Sequence, residues 1–201
     1  RTRQNAVVLD DRGPTSGAGG DGTFDLTEVE TLALDNESFT ASRLKDAVVE
    51  RCRAKPLVDV PELVDDEDGS VALPAETVDL TDACAILAAW DGTFDLDRVG
   101  ALIWREFDSR YTTEELVDAG VLWAQPFDPE DPVGTPAGLA PAPAEGPDPT
   151  LVNLGRAVQI VVKAGFALDS PLGEVQVANR NDTMVPIHGG ITIDTKRMEQ
   201  L

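Results

Sequence analysis

Apolar and polar residues recur with a helical period along much of the chain. The clearest stretch is Arg43 to Ala54. Leu44, Ala47, Val48 and Cys52 share one face of it, and Lys45, Asp46, Glu50 and Arg51 share the other. Thr40 or Ser42 is placed to cap its start. Upstream, Asp25 or Thr27 caps a helix whose first turn carries Glu28 and Glu30, where the helix dipole favours negative charge. A third helix runs from Leu80 or Thr81 to Trp90, with Cys84, Leu87 and Ala88 on one face and Ala83 beside them. A fourth runs from Leu96 or Asp97 to about Phe107, with Val99, Leu102, Ile103 and Phe107 at core spacing. A shorter one follows at Thr113–Ala119 behind a Thr112 cap. Thr150 caps a last long helix that reaches about Ala164 and is ended by Gly165. Gly173 to Val177 reads as a strand, and Ala6 to Leu9 as a strand or a helix. The expected fold class is mostly α with a small β component.

The breaks between these elements are uneven in character. Residues 124–149 hold eight of the 14 prolines and exclude helix. Pro56 and Pro61 punctuate a loop that ends in the acidic run Asp65–Asp68. The segment from Trp123 to Leu139 sets Trp, Phe and Leu among Pro, Gly and Asp. Proline pre-sets such a backbone and its apolar side chains dock, so it serves a site or an interface better than a linker. Leu168–Gln176 and Val185–Gly190 have the same texture. Asp-Gly-Thr-Phe-Asp-Leu occurs twice, at Asp21–Leu26 and Asp91–Leu96. Each copy reads as a turn and an Asp cap ahead of a helix, with the Phe as a hydrophobic staple. Neither copy has the spacing of an EF-hand.

Charge narrows the function classes. The 201 residues carry 37 acidic against 16 basic side chains, a formal net charge of −21. Binding to nucleic acid needs clustered Lys and Arg, and binding to anionic membranes needs the same. Both are excluded as expectations; a self-repelling acidic surface is the simple reading. No run approaches the roughly 20 apolar residues of a membrane helix. No apolar segment follows Arg1-Thr-Arg-Gln-Asn5 as a secretory leader would require, and the chain opens without Met. A cleaved or trimmed chain is the expectation.

Most small constellations read blandly. Gly17 to Gly22 fits G-x-G-x-x-G, but eight residues separate it from the preceding apolar run and Asp21 would repel a pyrophosphate. Asp65–Asp68 reads as a solvated loop, with calcium binding as the rival. His188, the only histidine, sits in Val185-Pro-Ile-His-Gly-Gly190. It is either a structural hydrogen-bonding group in a tight turn or a participant in chemistry. Cys52 and Cys84 are either separate buried thiols or one disulfide between two helices, and two Cys without a nearby His are too few for a metal. No metal site and no cofactor are expected.

Three segments carry a family resemblance. Trp123-Ala-Gln-Pro-Phe-Asp-Pro-Glu-Asp-Pro-Val-Gly-Thr-Pro-Ala-Gly-Leu139, then Pro171-Leu-Gly-Glu-Val-Gln176, then Val185-Pro-Ile-His-Gly-Gly190 follow in this order. With the helix pair around Ala83–Asp91 and the opening Arg1-Thr-Arg3, the chain resembles the penicillin-acylase-type N-terminal-nucleophile hydrolases. It looks most like the aculeacin A and echinocandin deacylases and the acyl-homoserine-lactone acylases. The likeness covers residue 1 to about residue 190, and residues 191–201 depart from the pattern.

The resemblance implies a helical segment of the αββα N-terminal-nucleophile fold. All of residues 1–201 would be part of the β-subunit of a processed acylase: a helical arm at about 25–120, the Pro-rich loop at 124–149, and a helix and strand at 150–190. The family's nucleophilic serine, its oxyanion-hole groups and its α-subunit would lie outside this chain. Arg1 would be the catalytic-site residue, with Arg3 as second choice, an arginine that positions the oxyanion-hole asparagine through charge-assisted hydrogen bonds. The resemblance also favours a Cys52–Cys84 disulfide, worth roughly 3–4 kcal/mol for a loop of about 30 residues, and a secreted or periplasmic location. His188 would lie near the cleft without serving as the base. The expected partners are the remaining segments of the acylase and a fatty-acyl amide substrate. The rival expectation is a non-catalytic acidic helical interaction module.

Overall fold

The structure, a computed structural model, describes residues 23–34, 36–64, 70–112, 115–116 and 120–190. Helix α1 spans Leu26–Leu34, and α2 spans Phe39–Ala54. Strands β1 (Leu57–Val60), β2 (Leu63–Val64), β3 (Val71–Leu73) and β4 (Glu76–Asp79) follow. Helices α3 (Thr81–Ala89) and α4 (Ala101–Asp108) come next. Strands β5 (Trp123–Gln125) and β6 (Ala137–Leu139) frame the Pro-rich loop. Helix α5 (Pro149–Lys163), the single turn α6 (Leu172–Val175) and strands β7 (Val177–Arg180) and β8 (Thr183–Pro186) complete the described chain.

Mostly α with a small β component describes what these residues form. Each described sheet has two antiparallel strands: β1–β4, β2–β3, β5–β6 and β7–β8. The alternation in β1 buries Val58 and Val60, and Val58 sits opposite Val78 of β4. Helix α5 lies on this ribbon through Gly155. A Cβ there would come within 2.6 Å of Val60 Cγ2 and 2.9 Å of Val58 Cγ1. The glycine therefore sets how closely helix and sheet approach.

The core follows from the helical spacing. Leu44, Val48 and Cys52 of α2 are buried against Ala83, Cys84 and Leu87 of α3. Cys52 and Cys84 form a disulfide with their Cα atoms 5.9 Å apart, which joins the two helices as the resemblance implied. A row of aromatic rings continues the core across α4. Trp90 stands 5.9 Å from Trp104, Trp104 5.0 Å from Phe107, and Phe107 5.3 Å from Tyr111. Tilted and edge-on pairs at such distances add about 0.5–1.5 kcal/mol each beyond their buried area.

Several element boundaries differ from the sequence reading, each for a local reason. Helix α2 starts at Phe39 because Ser38, not Thr40 or Ser42, accepts the Ala41 N–H at 3.1 Å. Its buried face holds Ala41 and Val49, while Ala47 is exposed. Helix α4 begins at Ala101, not at Leu96 or Asp97. Gly100 stands at φ 102°, a left-handed conformation that breaks the helical run, and Val99 is left 37% exposed. A side chain at Gly100 would meet Trp90 Cβ at 2.7 Å, so the turn and the Trp90 packing both require glycine. Helix α5 is capped by Asp148, whose carboxylate accepts the Thr150 N–H at 3.0 Å, with Pro149 in the first turn. Residues 172–175 form a helical turn, and the expected strand starts only at Val177.

Other readings hold. Asp25 and Glu28 form a reciprocal capping box at the start of α1. Thr112 and Glu115 form another. Of the short helix expected at Thr113–Ala119, only residues 115–116 are described, and they lie in a turn. The Ala6–Leu9 run, Gly17–Gly22 and the acidic run Asp65–Asp68 lie outside the described residues, as does the first repeat copy up to Gly22. The second copy, Asp91–Leu96, forms a turn closed by Asp91, which accepts from the Thr93 N–H and hydroxyl. Its Phe94 packs on Trp90 at 5.6 Å, but Gly100 rather than Asp95 heads the following helix.

Candidate functional site

The structure brings together two of the three segments singled out in sequence, on the turn made by the second repeat copy. The Leu172 N–H donates to Arg98 O and the Gly173 N–H to Leu96 O, which docks α6 on that turn. Gly173 is needed for the approach, since a Cβ would lie 3.0 Å from Leu96 O. Gln176 then reaches the Val185–Gly190 turn. Its Nε2 donates to Ile187 O at 2.8 Å and Gly189 O at 2.9 Å. Its Oε1 accepts from Arg105 Nη1 at 3.0 Å. The Gly189 N–H returns to Phe94 O at 2.9 Å, closing the circuit. Gly190 packs so tightly on the Phe94 ring that a Cβ would sit 2.7 Å from it.

Charge holds the turn in shape. Arg98 lies 2.7 Å from Asp91 Oδ2, 3.1 Å from Asp97 Oδ2 and 3.9 Å from Asp95 Oδ2. Burial works against the Asp91 carboxylate, but the Thr93 N–H and hydroxyl and the Arg98 guanidinium together hold it below its ordinary range. The guanidinium thus fills the place a cation would take among these carboxylates. Among the described residues no cluster of His, Cys, Asp or Glu has the makings of a metal site. Beside the turn a shallow groove of about 530 Å³ is walled by Ile86, Ala89, Trp90 and Val99, with Arg98 and Asp97 as polar lining.

The third segment is built elsewhere, on α2. Trp123 is fully buried, 6.3 Å from the Phe39 ring, and Trp123 pairs with Leu139 across β5–β6. Arg43 stacks over Phe39 at 5.0 Å and donates to Val133 O at 2.5 Å. Thr135, before the cis Pro136, accepts the Asp128 N–H at 2.7 Å and donates to Asp131 O at 2.6 Å. About two turns along α2, Arg51 donates to Ala140 O at 2.6 Å and stands 3.6 Å from Asp148. The Pro-rich segment is therefore a docked loop, as its composition implied. Arg51 reads as a solvent-side residue in sequence and Arg43 only as the start of the helix; their carbonyl partners lie about 90 residues downstream, where no local pattern signals them.

The predicted site residues have different outcomes. Arg1 and Arg3 lie outside the described residues. His188 stands on the exposed side of its turn, where Nδ1 is 3.1 Å from Asn36 Oδ1, so a structural hydrogen bond in a tight turn is what the geometry provides. One group escaped sequence reading altogether. Burial pushes the Asp108 carboxyl up to about 7, and the Thr40 hydroxyl and Trp104 indole offset only part of that. The Tyr111 phenol beside it is also pushed up by burial.

Comparison with known proteins matches the penicillin amidase family over residues 1–198. The chain belongs to the penicillin amidase family. Among related proteins, it is 29% identical over 169 residues to an acyl-homoserine lactone acylase of Pseudomonas savastanoi pv. phaseolicola, covering 84% of this chain and 19% of that protein. It is 27% identical over 176 residues to the aculeacin-A acylase of Actinoplanes utahensis, covering 88% and 19%. An acyl-homoserine lactone acylase of Pseudomonas fluorescens is 31% identical over 168 residues, covering 82% and 18%. The chain thus spans about a fifth of the length of these penicillin amidase relatives. Among the described residues no helix is long and apolar enough to cross a membrane.

Proposed function

We propose that this chain is a segment of the β-subunit of a penicillin-amidase-type acylase that removes a fatty acyl chain from a lipopeptide or an acyl-homoserine lactone. The observation that carries this reading is the family match along nearly the whole chain, with acylases among its relatives. Catalysis runs through a serine supplied by another segment. The serine hydroxyl attacks the amide carbonyl while the serine's own α-amine takes its proton. An oxyanion hole holds the tetrahedral intermediate, the amine leaves with a proton, and water then hydrolyses the acyl ester. Arg1 positions the oxyanion-hole asparagine through charge-assisted hydrogen bonds.

In this reading the helical segment and the docked Pro-rich loop brace the αββα core and wall the acyl pocket. The neighbours of the chain are the α-subunit and the serine-bearing part of the β-subunit, and the enzyme is secreted or periplasmic. Met184, Val185 and Ile187 are 57%, 41% and 44% exposed on one edge, which suits a segment covered by the rest of a larger protein.

The test is denaturing mass analysis of the purified protein with N-terminal sequencing of each component. Co-purifying chains, one beginning with Ser, and release of fatty acid from acyl-homoserine lactone or lipopeptide substrates are the expected result. A single chain that folds alone, buries its apolar edge and hydrolyses neither substrate overturns the reading and favours an interaction module. In the active assembly, Arg1→Ala lowers kcat by about a hundredfold if the arginine holds the oxyanion hole in register.

A further inference from the structure

We propose that Asp95, Asn36 and His188 form a relay that fixes the tautomer of His188 and makes its turn an acceptor site for a hydrogen-bond donor. Asn36 Nδ2 donates to Asp95 Oδ1 at 2.7 Å. A carboxylate only accepts, so this bond sets the orientation of the Asn36 amide: its nitrogen faces Asp95 and its oxygen faces away. That oxygen is 3.1 Å from His188 Nδ1. A carbonyl oxygen accepts and cannot donate, so Nδ1 must carry the proton. In the neutral ring Nε2 then holds the lone pair. This is the reverse of the Nε2–H tautomer that a solvated histidine side chain favours.

The relay is well anchored at each end. Asn36 O accepts the Phe94 N–H at 2.9 Å, which fixes its backbone to the repeat turn. The Asp95 carboxylate also faces Arg98 at 3.9 Å and the Thr93 hydroxyl at 3.4 Å. The Gly189 N–H bond to Phe94 O holds the histidine turn over Asn36. The imidazole itself is exposed, and among the described residues Nε2 has no hydrogen-bond partner. Val185 and Ile187, exposed beside it, give the site an apolar margin.

A group with this tautomer selects its ligand. Nε2 accepts from an amide N–H or a hydroxyl and repels a carbonyl or carboxylate oxygen in the same place. The site therefore fits a ligand group that presents an N–H or a hydroxyl to Nε2. This inference does not depend on the acylase reading.

His188 is the only histidine, so histidine labelled with 15N reports on it alone. Long-range 1H–15N correlation on the full chain, at the alkaline end of a titration, identifies which nitrogen bears the proton. The expected spectrum shows Nδ1 protonated and Nε2 bare. Asp95→Asn, which does not touch the imidazole, frees the Asn36 amide to turn over and shifts the population toward Nε2–H. Asn36→Ala does the same more completely. A wild-type ring protonated at Nε2, or a tautomer unchanged by both substitutions, overturns the proposal.

Discussion

The Thr40 hydroxyl donates to Asp108 Oδ2 at 2.6 Å, joining the first turn of α2 to the last residue of α4 across 68 positions of sequence. The Trp104 indole N–H donates in turn to Thr40 Oγ1 at 3.0 Å. The other carboxyl oxygen, Asp108 Oδ1, is sealed from solvent with no hydrogen-bond partner among the described residues. Asp108 also stands at the carbonyl end of α4, where the helix dipole disfavours negative charge. A carboxyl in that place is easier to keep neutral than ionised.

Its consequence for stability has a definite sign. Burial raises the Asp108 value from 3.8 to about 7, so between these limits the folded chain holds a proton that the unfolded chain releases. The contribution is fully present below the unfolded value and is lost as pH rises through about 7. Asp108→Asn keeps the Thr40 bond and cannot ionise. Between pH 5 and pH 8 the parent should lose about 3 kcal/mol more stability than this variant. Urea melts of both proteins at the two pH values measure the difference, and parallel curves would sink the assignment.

The Cys52–Cys84 disulfide closes a loop with a sequence separation of 32. Loop-closure entropy puts its contribution at roughly 4 kcal/mol. The double substitution Cys52→Ala and Cys84→Ala leaves α2 and α3 in contact through Leu44, Val48 and Leu87, so the fold should survive with a lower Tm. For a chain of this size the expected drop is about 10 °C. Calorimetry of the double variant checks it, and a drop below about 2 °C would mean that the unfolded chain is already compact across this loop.

How much of this was legible in sequence depended on the range of the signal. The faces of α2 and α3 showed because Leu44, Val48, Cys52, Cys84 and Leu87 repeat at helical spacing. The Pro-rich loop announced its docking by the Trp123 and Leu139 that it fixes. The start of α4 was misplaced because Leu96 and Val99 extend the helical period backwards, while the close approach of Gly100 to Trp90 leaves no periodic signal. Strand β1 was hidden between Pro56 and Pro61 and β4 behind Pro74; each is four residues long and finds its partner about 20 residues away. The Gln176 bond to Arg105 and the Thr40 bond to Asp108 join residues 71 and 68 positions apart, which periodicity cannot reach. The expected role of Arg1 is untouched by any of these contacts and rests on its motif alone.

Gly155 offers a test of close packing without backbone strain, since it sits in the middle of α5. Alanine favours helix by about 1 kcal/mol at an exposed site. Here its methyl would press into Val58 and Val60 at 2.9 and 2.6 Å. Overpacking of this kind costs about 1–3 kcal/mol. Gly155→Ala should therefore destabilise the chain despite its better propensity, and Val60→Ala added to it should recover part of the loss. A stabilised single variant would show that α5 can move off the β1–β4 ribbon at little cost.

Gln176 gives the sharpest test of the circuit around the histidine turn, because its amide is used at both ends. The nitrogen serves Ile187 O and Gly189 O, and the oxygen serves Arg105. Gln176→Ala removes all three bonds and should cost about 1–3 kcal/mol, since among the described residues Arg105 keeps only the Glu106 carboxylate at 3.4 Å. Gln176→Glu preserves the Arg105 partner but turns a carboxylate oxygen toward two carbonyls. The Gly189 amide, bonded to Phe94 O, reports the outcome by hydrogen exchange. Protection at Gly189 should fall from wild type to Ala and further to Glu, while amides in the middle of α5 keep their rates. If Glu is protected as well as Gln, the Arg105 contact alone orders the turn and the two carbonyl bonds contribute nothing.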